Sequence, residues 1–283
     1  MSQVSTSLRR RASQHDWLVK ALLSLMKLLA GSLDRLMVFF TSSIMVVVVP
    51  RESFNADGLI TDHDSSFMNE RSFQAAYAKA VASAGADWDI PWRTHVALWA
   101  AKSAIDIEGD YVELGTGRAW MFSAICQYLP WNEMSKSLWL CDRFSPFGVD
   151  PVTGLPDQTS NPHPCYARSL EATKANFEGL ERINFVEGTL PESLQQLEIA
   201  RISFLHIDLN NSETEIESLR YLWPSIAPGG LILMDDYAYA GYKPQYLAMN
   251  ALANELGVLV LSLPTGQGLI VKPGLTINDR SPA

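Results

Sequence analysis

Basic residues and cysteines are both scarce in this chain. Its 283 residues include 22 Lys and Arg against 31 Asp and Glu, a net charge of −9. Gripping nucleic acid over a broad face takes clustered Lys and Arg, so no nucleic-acid partner is expected. One dense basic run, Arg9-Arg10-Arg11, lies where chain ends commonly fray. The three cysteines, Cys126, Cys141 and Cys165, form no CxxC pair and no even set. That excludes a disulfide framework and a structural zinc site, and it suits a reducing, cytoplasmic setting. Cys126 and Cys141 stand in apolar runs and read as core. Charged residues make up 19% of the chain against 47% hydrophobic, which excludes wholesale disorder.

The N-terminus lacks what a membrane anchor needs. Residues 36–50 carry no charge, but that run is shorter than the roughly 20 residues of a spanning helix. Thr41, Ser42 and Ser43 interrupt it, and the valine run behind them favours a strand. Lys20 and Lys27 break the apolar stretch that a signal peptide requires. From Trp17 to Leu36, Lys20, Ser24, Lys27 and Gly31 recur at helical spacing opposite Leu18, Leu22, Leu25 and Leu29, which predicts an amphipathic helix. Residues 1–49 therefore read as an N-terminal helical extension that docks on the main fold or across a homodimer. Peripheral membrane contact through residues 17–49 is the open alternative. Residues 50–283 read as one domain.

In that domain Phe73–Ser83 and Trp92–Ala104 predict helices. From Tyr111 onward strands at 110–114, 137–142, 183–188, 202–208 and 230–235 alternate with helices such as 118–128, 169–178 and 213–223. This is the pattern of an α/β fold with a doubly wound, mostly parallel sheet. Val258–Leu263 and Gly268–Val271 are two further strands, joined by only Pro264-Thr265-Gly266-Gln267. So short a link permits only an antiparallel pair. Seven strands ending in an antiparallel hairpin differ from the all-parallel dinucleotide-binding arrangement.

The first strand runs into Glu113-Leu114-Gly115-Thr116-Gly117, a glycine turn that lets backbone and ligand approach closely. The third glycine of a dinucleotide fingerprint would fall at Trp120, where an indole blocks a pyrophosphate. Glu113 suits a cationic ligand with an amino group. Asp142, closing the second strand, can accept both ribose hydroxyls of a nucleoside, and Gly188 and Thr189, closing the third, can frame an adenine edge. Strand four ends at Asp208 and strand five at Asp235-Asp236. Three carboxylates on neighbouring strands repel one another unless a cation neutralises them. Oxygen donors without Cys or clustered His select Mg²⁺ or Mn²⁺. The plainer alternative is one N-cap and two solvated side chains.

These pieces together resemble the macrocin O-methyltransferase family, metal-dependent sugar O-methyltransferases of macrolide biosynthesis. The resemblance rests on Phe67–Lys79 (FMNERSFQAAYAK), Trp92–Ala100 (WRTHVALWA), VELGTG at 112–117, Asp142-Arg143-Phe144, Phe185–Leu194 (FVEGTLPESL), His206–Tyr237 and Thr265-Gly266-Gln267-Gly268. It implies a class I methyltransferase fold and S-adenosylmethionine held at Glu113, Gly115, Gly117 and Asp142. It also implies a divalent metal at Asp208, Asp235 and Asp236, and a small hydroxylated acceptor such as a sugar or glycoside. A sulfonium methyl is already activated, so such chemistry needs a deprotonated acceptor held in line. A metal acidifies the hydroxyl and a base takes its proton. Asp208 is the candidate for ligand, base or both. His63, in the polar loop Asp62-His63-Asp64, is the second choice for base; His163 lies in the Pro-rich segment 144–166, and His206, inside a strand, reads as core. That Pro-rich segment is longer than the family pattern and implies a reshaped acceptor pocket. Residues 1–49 have no counterpart in it. The competing readings are a nicotinamide dehydrogenase, opposed by Trp120 and the terminal hairpin, and a non-catalytic scaffold acting through residues 17–49.

Overall fold

The structure is a computed structural model that describes residues 38–41, 44–47, 54–144 and 169–274. The expected helix at 17–36, His163 and Cys165 lie outside the described residues. The chain divides into two compact units, one reaching to Phe54 and including Ile60–His63, the other comprising Asn55–Leu59 and Asp64 onward. In the first, Val38–Thr41 pairs antiparallel with Ile44–Val47, from Val38 opposite Val47 to Thr41 opposite Ile44. The β-branched run thus takes the extended form its side chains favour. Phe54–Ala56 and Leu59–Thr61 form another two-stranded sheet, turning at Asp57 (φ 52°) and Gly58 (φ 72°). Two successive positive φ values are what a two-residue hairpin turn demands.

The large unit is built on a seven-stranded sheet. Its strands are β1 (Asp110–Leu114), β2 (Leu138–Asp142), β3 (Ile183–Glu187), β4 (Ile202–Ile207), β5 (Ile226–Met234), β6 (Leu261–Ser262) and β7 (Gly268–Val271). They lie in the order β6-β7-β5-β4-β1-β2-β3. The five strands β3-β2-β1-β4-β5 pair in parallel, and β7 and β6 are antiparallel. The doubly wound sheet and its C-terminal antiparallel hairpin are as the sequence predicts. Helices α1 (Arg71–Ala84), α2 (Pro91–Ser103) and α3 (Trp120–Tyr128) bring residues such as Ala80, Leu98 and Phe122 to a core with Tyr111, Leu140 and Phe204 of the sheet. Residues of α5 (Ser212–Leu222) and α6 (Lys243–Glu255) pack with Val112, Leu205 and Ile232 of the other face. A short helix α4 (Leu170–Ala175) precedes β3. The alternation of Tyr111 and Val112 between the two cores is the period-2 pattern of a strand covered on both sides.

Boundaries follow local chemistry. Pro91 opens α2, Asn211 caps α5 by accepting from the Thr214 N–H at 3.0 Å, and Gly85 closes α1 at φ 73°. Two expected elements come out shorter. The strand anticipated at 258–263 is reduced to β6, because the Val258 N–H bonds the Ala253 carbonyl and finishes α6 instead. The helix anticipated at 169–178 stops at Ala175, where the Asn176 and Phe177 N–H groups turn back to Thr173 and Lys174. Cys126 and Cys141 are buried free thiols, as their apolar settings predict. Among the described residues no helix is long and apolar enough to cross a membrane.

Candidate active site

The C-terminal ends of the parallel strands bring together two groups of side chains. The first surrounds the glycine turn. Asp142 accepts from the Gly117 N–H at 2.8 Å and from the Phe144 N–H at 3.1 Å, so the carboxylate closing β2 braces the turn after β1. A side chain at Gly117 would meet nothing within 4 Å, leaving open space beside that carboxylate. Gly115 is glycine for another reason: its missing side chain admits the backbone of Asp208. At the end of β3 a cavity of about 400 Å³ is lined by Gly188, Thr189, Glu192, Ser193, Gln195 and Gln196. Trp120 is buried, stacks on Trp88 at 4.8 Å and donates its indole N–H to Thr94 at 3.1 Å.

Glu113 stands on β1 just before the glycine turn. Register puts it directly opposite His206 on β4, and its Oε1 lies 3.1 Å from His206 Nδ1. Both side chains are buried, and Glu113 Oε2 has no hydrogen-bond partner among the described residues. Burial pushes Glu113 up, opposed by His206. Burial pulls His206 down, but Asp235 and Glu113 more than offset it and raise it to about 10. Glu113 and His206 thus compete for one proton. Two carboxylates, Glu113 and Asp235, face the two nitrogens of the His206 ring.

The second group is the carboxylate cluster. Asp208 follows β4, and Asp235 and Asp236 follow β5. Asp235 Oδ1 accepts from Gln267 Nε2 at 2.9 Å, and Oδ2 accepts from Arg93 Nη1 at 2.6 Å. His206 Nε2 stands 3.9 Å from Asp235, an ion-pair separation beyond hydrogen-bond reach. Burial disfavours the charge on Asp235, yet Arg93 and His206 hold it well below the usual carboxylate range. The opposite holds for its neighbours. The surrounding protein, then Asp235 and Asp236, drive Asp208 well above the ordinary value. Burial and Asp235 raise Asp236 to about 7. Asp208 accepts from Asn210 Nδ2 at 3.1 Å, and Asn210 in turn accepts from the Tyr242 hydroxyl.

Four participants were not singled out from the sequence. Arg93, in α2, reaches Asp235, Asp236 (3.4 Å) and both oxygens of Asp57 (2.7 and 3.0 Å). Gln267 and Thr265, which bond each other at 2.9 Å, orient Asp235 from the loop between β6 and β7. Glu215, in the first turn of α5, is buried and raised to about 8 by burial and then by Asp236. Arg93, Thr265 and Gln267 stand in the motifs WRTH and TGQG, which carried a family signal without a role. Glu215 gives no local signal, since an acidic first turn is ordinary helix chemistry. His63 belongs to the smaller unit, with its side chain 86% exposed and its ring 3.8 Å from Asp62.

The cation expected among the three carboxylates is present in part as a side chain, Arg93. Among the described residues no three His, Cys, Asp or Glu side chains are arranged to hold a metal ion. One guanidinium is nevertheless shared among Asp57, Asp235 and Asp236. Hard carboxylate donors fit a divalent cation in type.

Glycine turn, strand-end carboxylates and terminal hairpin coincide with a match to a known family. Residues 97–255 match the family model described as macrocin-O-methyltransferase. The chain belongs to this family. It is 25% identical over 152 residues to 8-demethyl-8-(2,3-dimethoxy-alpha-L-rhamnosyl)-tetracenomycin-C 4'-O-methyltransferase of Streptomyces olivaceus, covering 47% of this chain and 54% of that protein. This chain therefore spans about half the length of that relative. It is 23% identical over 195 residues to demethyldecarbamoylnovobiocin O-methyltransferase of Streptomyces niveus, covering 62% of this chain and 72% of that protein. The solved structure of the O-methyltransferase NovP superposes with a TM-score of 0.59 at 18% identity, covering 75% of this chain and all of that one. That likeness identifies the sheet of this macrocin O-methyltransferase family member as the class I methyltransferase fold.

Proposed function

We propose that this protein transfers a methyl group from S-adenosylmethionine to a hydroxyl of a sugar or other polyol-bearing small molecule, with Mg²⁺ or Mn²⁺ as a further cofactor. The observation that carries the reading is the placement of Asp208, Asp235 and Asp236 at neighbouring strand ends beside the Gly115–Gly117 turn. Support for the acceptor class comes from the relatives, one of which acts on a rhamnosyl-bearing compound by its name. Bound together, the sulfonium would supply an activated methyl carbon and the dication would acidify the acceptor hydroxyl.

The chain's own residues take the remaining tasks. Asp142, Gly117, Gly188 and Thr189 would hold the nucleoside part of the donor in the open space along the rim. Asp208 and Asp236 would hold the cation, with Asp235 sharing it from a carboxylate already oriented by Gln267 and Arg93. Asp208 is the group placed to receive the acceptor proton, and the bond from Asn210 fixes one of its oxygens. Glu113, which faces His206, would complete the donor site beside the Gly115–Gly117 turn. The test is a screen of hydroxylated acceptors for S-adenosylhomocysteine release, run with Mg²⁺, with Mn²⁺ and with EDTA. Release from no sugar or polyol acceptor, with donor binding intact, would overturn the acceptor assignment.

A further inference from the structure

Arg93 is buried at the crevice end of α2 with three carboxylates around a single guanidinium. Its Nε and Nη2 form a fork on Asp57, at the turn of the 54–61 hairpin. Its Nη1 forms a separate arm to Asp235 Oδ2 and Asp236 Oδ1. The Tyr239 ring covers the guanidinium at 4.3 Å. We propose that Arg93 is a resident counter-ion that competes with the divalent cation for Asp235 and Asp236, while Asp57 and Tyr239 retain its fork. This rests on the metal site proposed above.

The division of the guanidinium makes the case. A planar fork bound at two points by one carboxylate is held in place. The Nη1 arm is spent on the two residues a dication would need. Both Asp235 oxygens already accept a hydrogen bond from protein, one from Gln267 and one from Arg93. A dication drawing on the Arg93-bound oxygen meets a positive charge at 2.6 Å from it, and like charges this close in a buried site repel strongly. The arrangement keeps the metal-free cluster partly neutralised and ties the hairpin turn to the crevice, at the expense of metal affinity. A purely positioning arginine would have the opposite signature, because its loss would scatter the ligands and weaken metal binding.

The test is calorimetric titration of Mg²⁺ into the full-length protein, Arg93→Gln and Arg93→Lys, together with melting temperatures in EDTA and in Mg²⁺. Arg93→Gln is expected to bind Mg²⁺ at least tenfold more tightly than the parent, and Arg93→Lys, which keeps the charge, to stay near it. The melting temperature of Arg93→Gln should fall in EDTA and recover with Mg²⁺ by more than that of the parent, since binding to the native state stabilises it. Arg93→Met, which keeps an unbranched stem without the charge, is the second variant if Arg93→Gln does not fold, and it is held to the same outcome. Equal or weaker Mg²⁺ binding by the neutral variants, with the parent binding normally, overturns the inference alone. No binding of Mg²⁺ or Mn²⁺ by parent or variants overturns the inference and the metal assignment together, and a parallel S-adenosylmethionine titration shows whether the donor assignment survives.

Discussion

A side chain at Gly115 would overlap the backbone carbonyl of Asp208. The turn that follows β1 therefore sets the position of the carboxylate that follows β4, and the Asp208 N–H bonds the Leu114 carbonyl at 2.9 Å to complete the contact. Gly115→Ala should destabilise the protein by about 2–4 kcal/mol, through overpacking against backbone and a positive φ. Gly117 has positive φ too, but open space around it. Gly117→Ala should cost only about 1 kcal/mol of stability and act chiefly on donor affinity. Urea denaturation of the two variants checks the contrast; equal losses would refute it.

Asp142 accepts from the Gly117 and Phe144 N–H groups. Asp142→Ala should weaken S-adenosylmethionine binding at least tenfold, about 1.4 kcal/mol, because it removes a hydroxyl acceptor and unbraces the turn. Calorimetry with S-adenosylmethionine measures this. Donor affinity equal to the parent's would take Asp142 out of the site.

The mostly parallel sheet and the terminal hairpin were legible because alternating βα segments and a four-residue link leave few topologies. The strand-end positions of Asp142, Asp208, Asp235 and Asp236 followed from the same reasoning. The pairing of Glu113 with His206 did not follow. It depends on the β1–β4 register, which pairs Glu113 with His206, and register between strands separated by about 90 residues is a tertiary property. Arg93 was hidden for a related reason: periodicity marks α2 as a helix but not which carboxylates its one inward cation meets. The repulsion argument over the three aspartates called for a divalent cation and did not foresee that Arg93 places a positive charge beside Asp235 and Asp236.

Glu215 gives the metal-free protein a distinctive pH response. Its folded pKa is about 8, against about 4.3 for an unfolded glutamate. Between those values the native state keeps a proton that the unfolded state has released, so stability falls as pH rises through the window and levels off above it. In EDTA the melting temperature should therefore decline from pH 5 toward pH 8, and Glu215→Gln should lessen that decline, to which the raised Asp208 and Asp236 also contribute. Scanning calorimetry across the range is the check. A decline unchanged in Glu215→Gln would mean another group carries it.

Gln267 offers the sharpest separation of metal from donor. Its amide holds Asp235 Oδ1 at 2.9 Å, and its own oxygen accepts from Thr265 at 2.9 Å. It is fully buried, so Gln267→Leu fills the space but frees one carboxylate oxygen. If Asp235 shares a dication, the loss of orientation should raise the Mg²⁺ concentration for half-maximal turnover and lower kcat by about 10- to 100-fold, the usual cost of losing a partner of a metal ligand. S-adenosylmethionine affinity should stay within about twofold, since the donor rim lies on other strands. Asp208→Asn should be more severe: it removes a ligand charge and the proposed base together, and added Mg²⁺ should not restore it. Exhaustive chelation should mimic Gln267→Leu in direction and exceed it in size, with Mg²⁺ restoring the rate. Full turnover of the parent after EDTA treatment, with metal content near zero, would remove the metal from the mechanism and leave Gln267 a purely structural role.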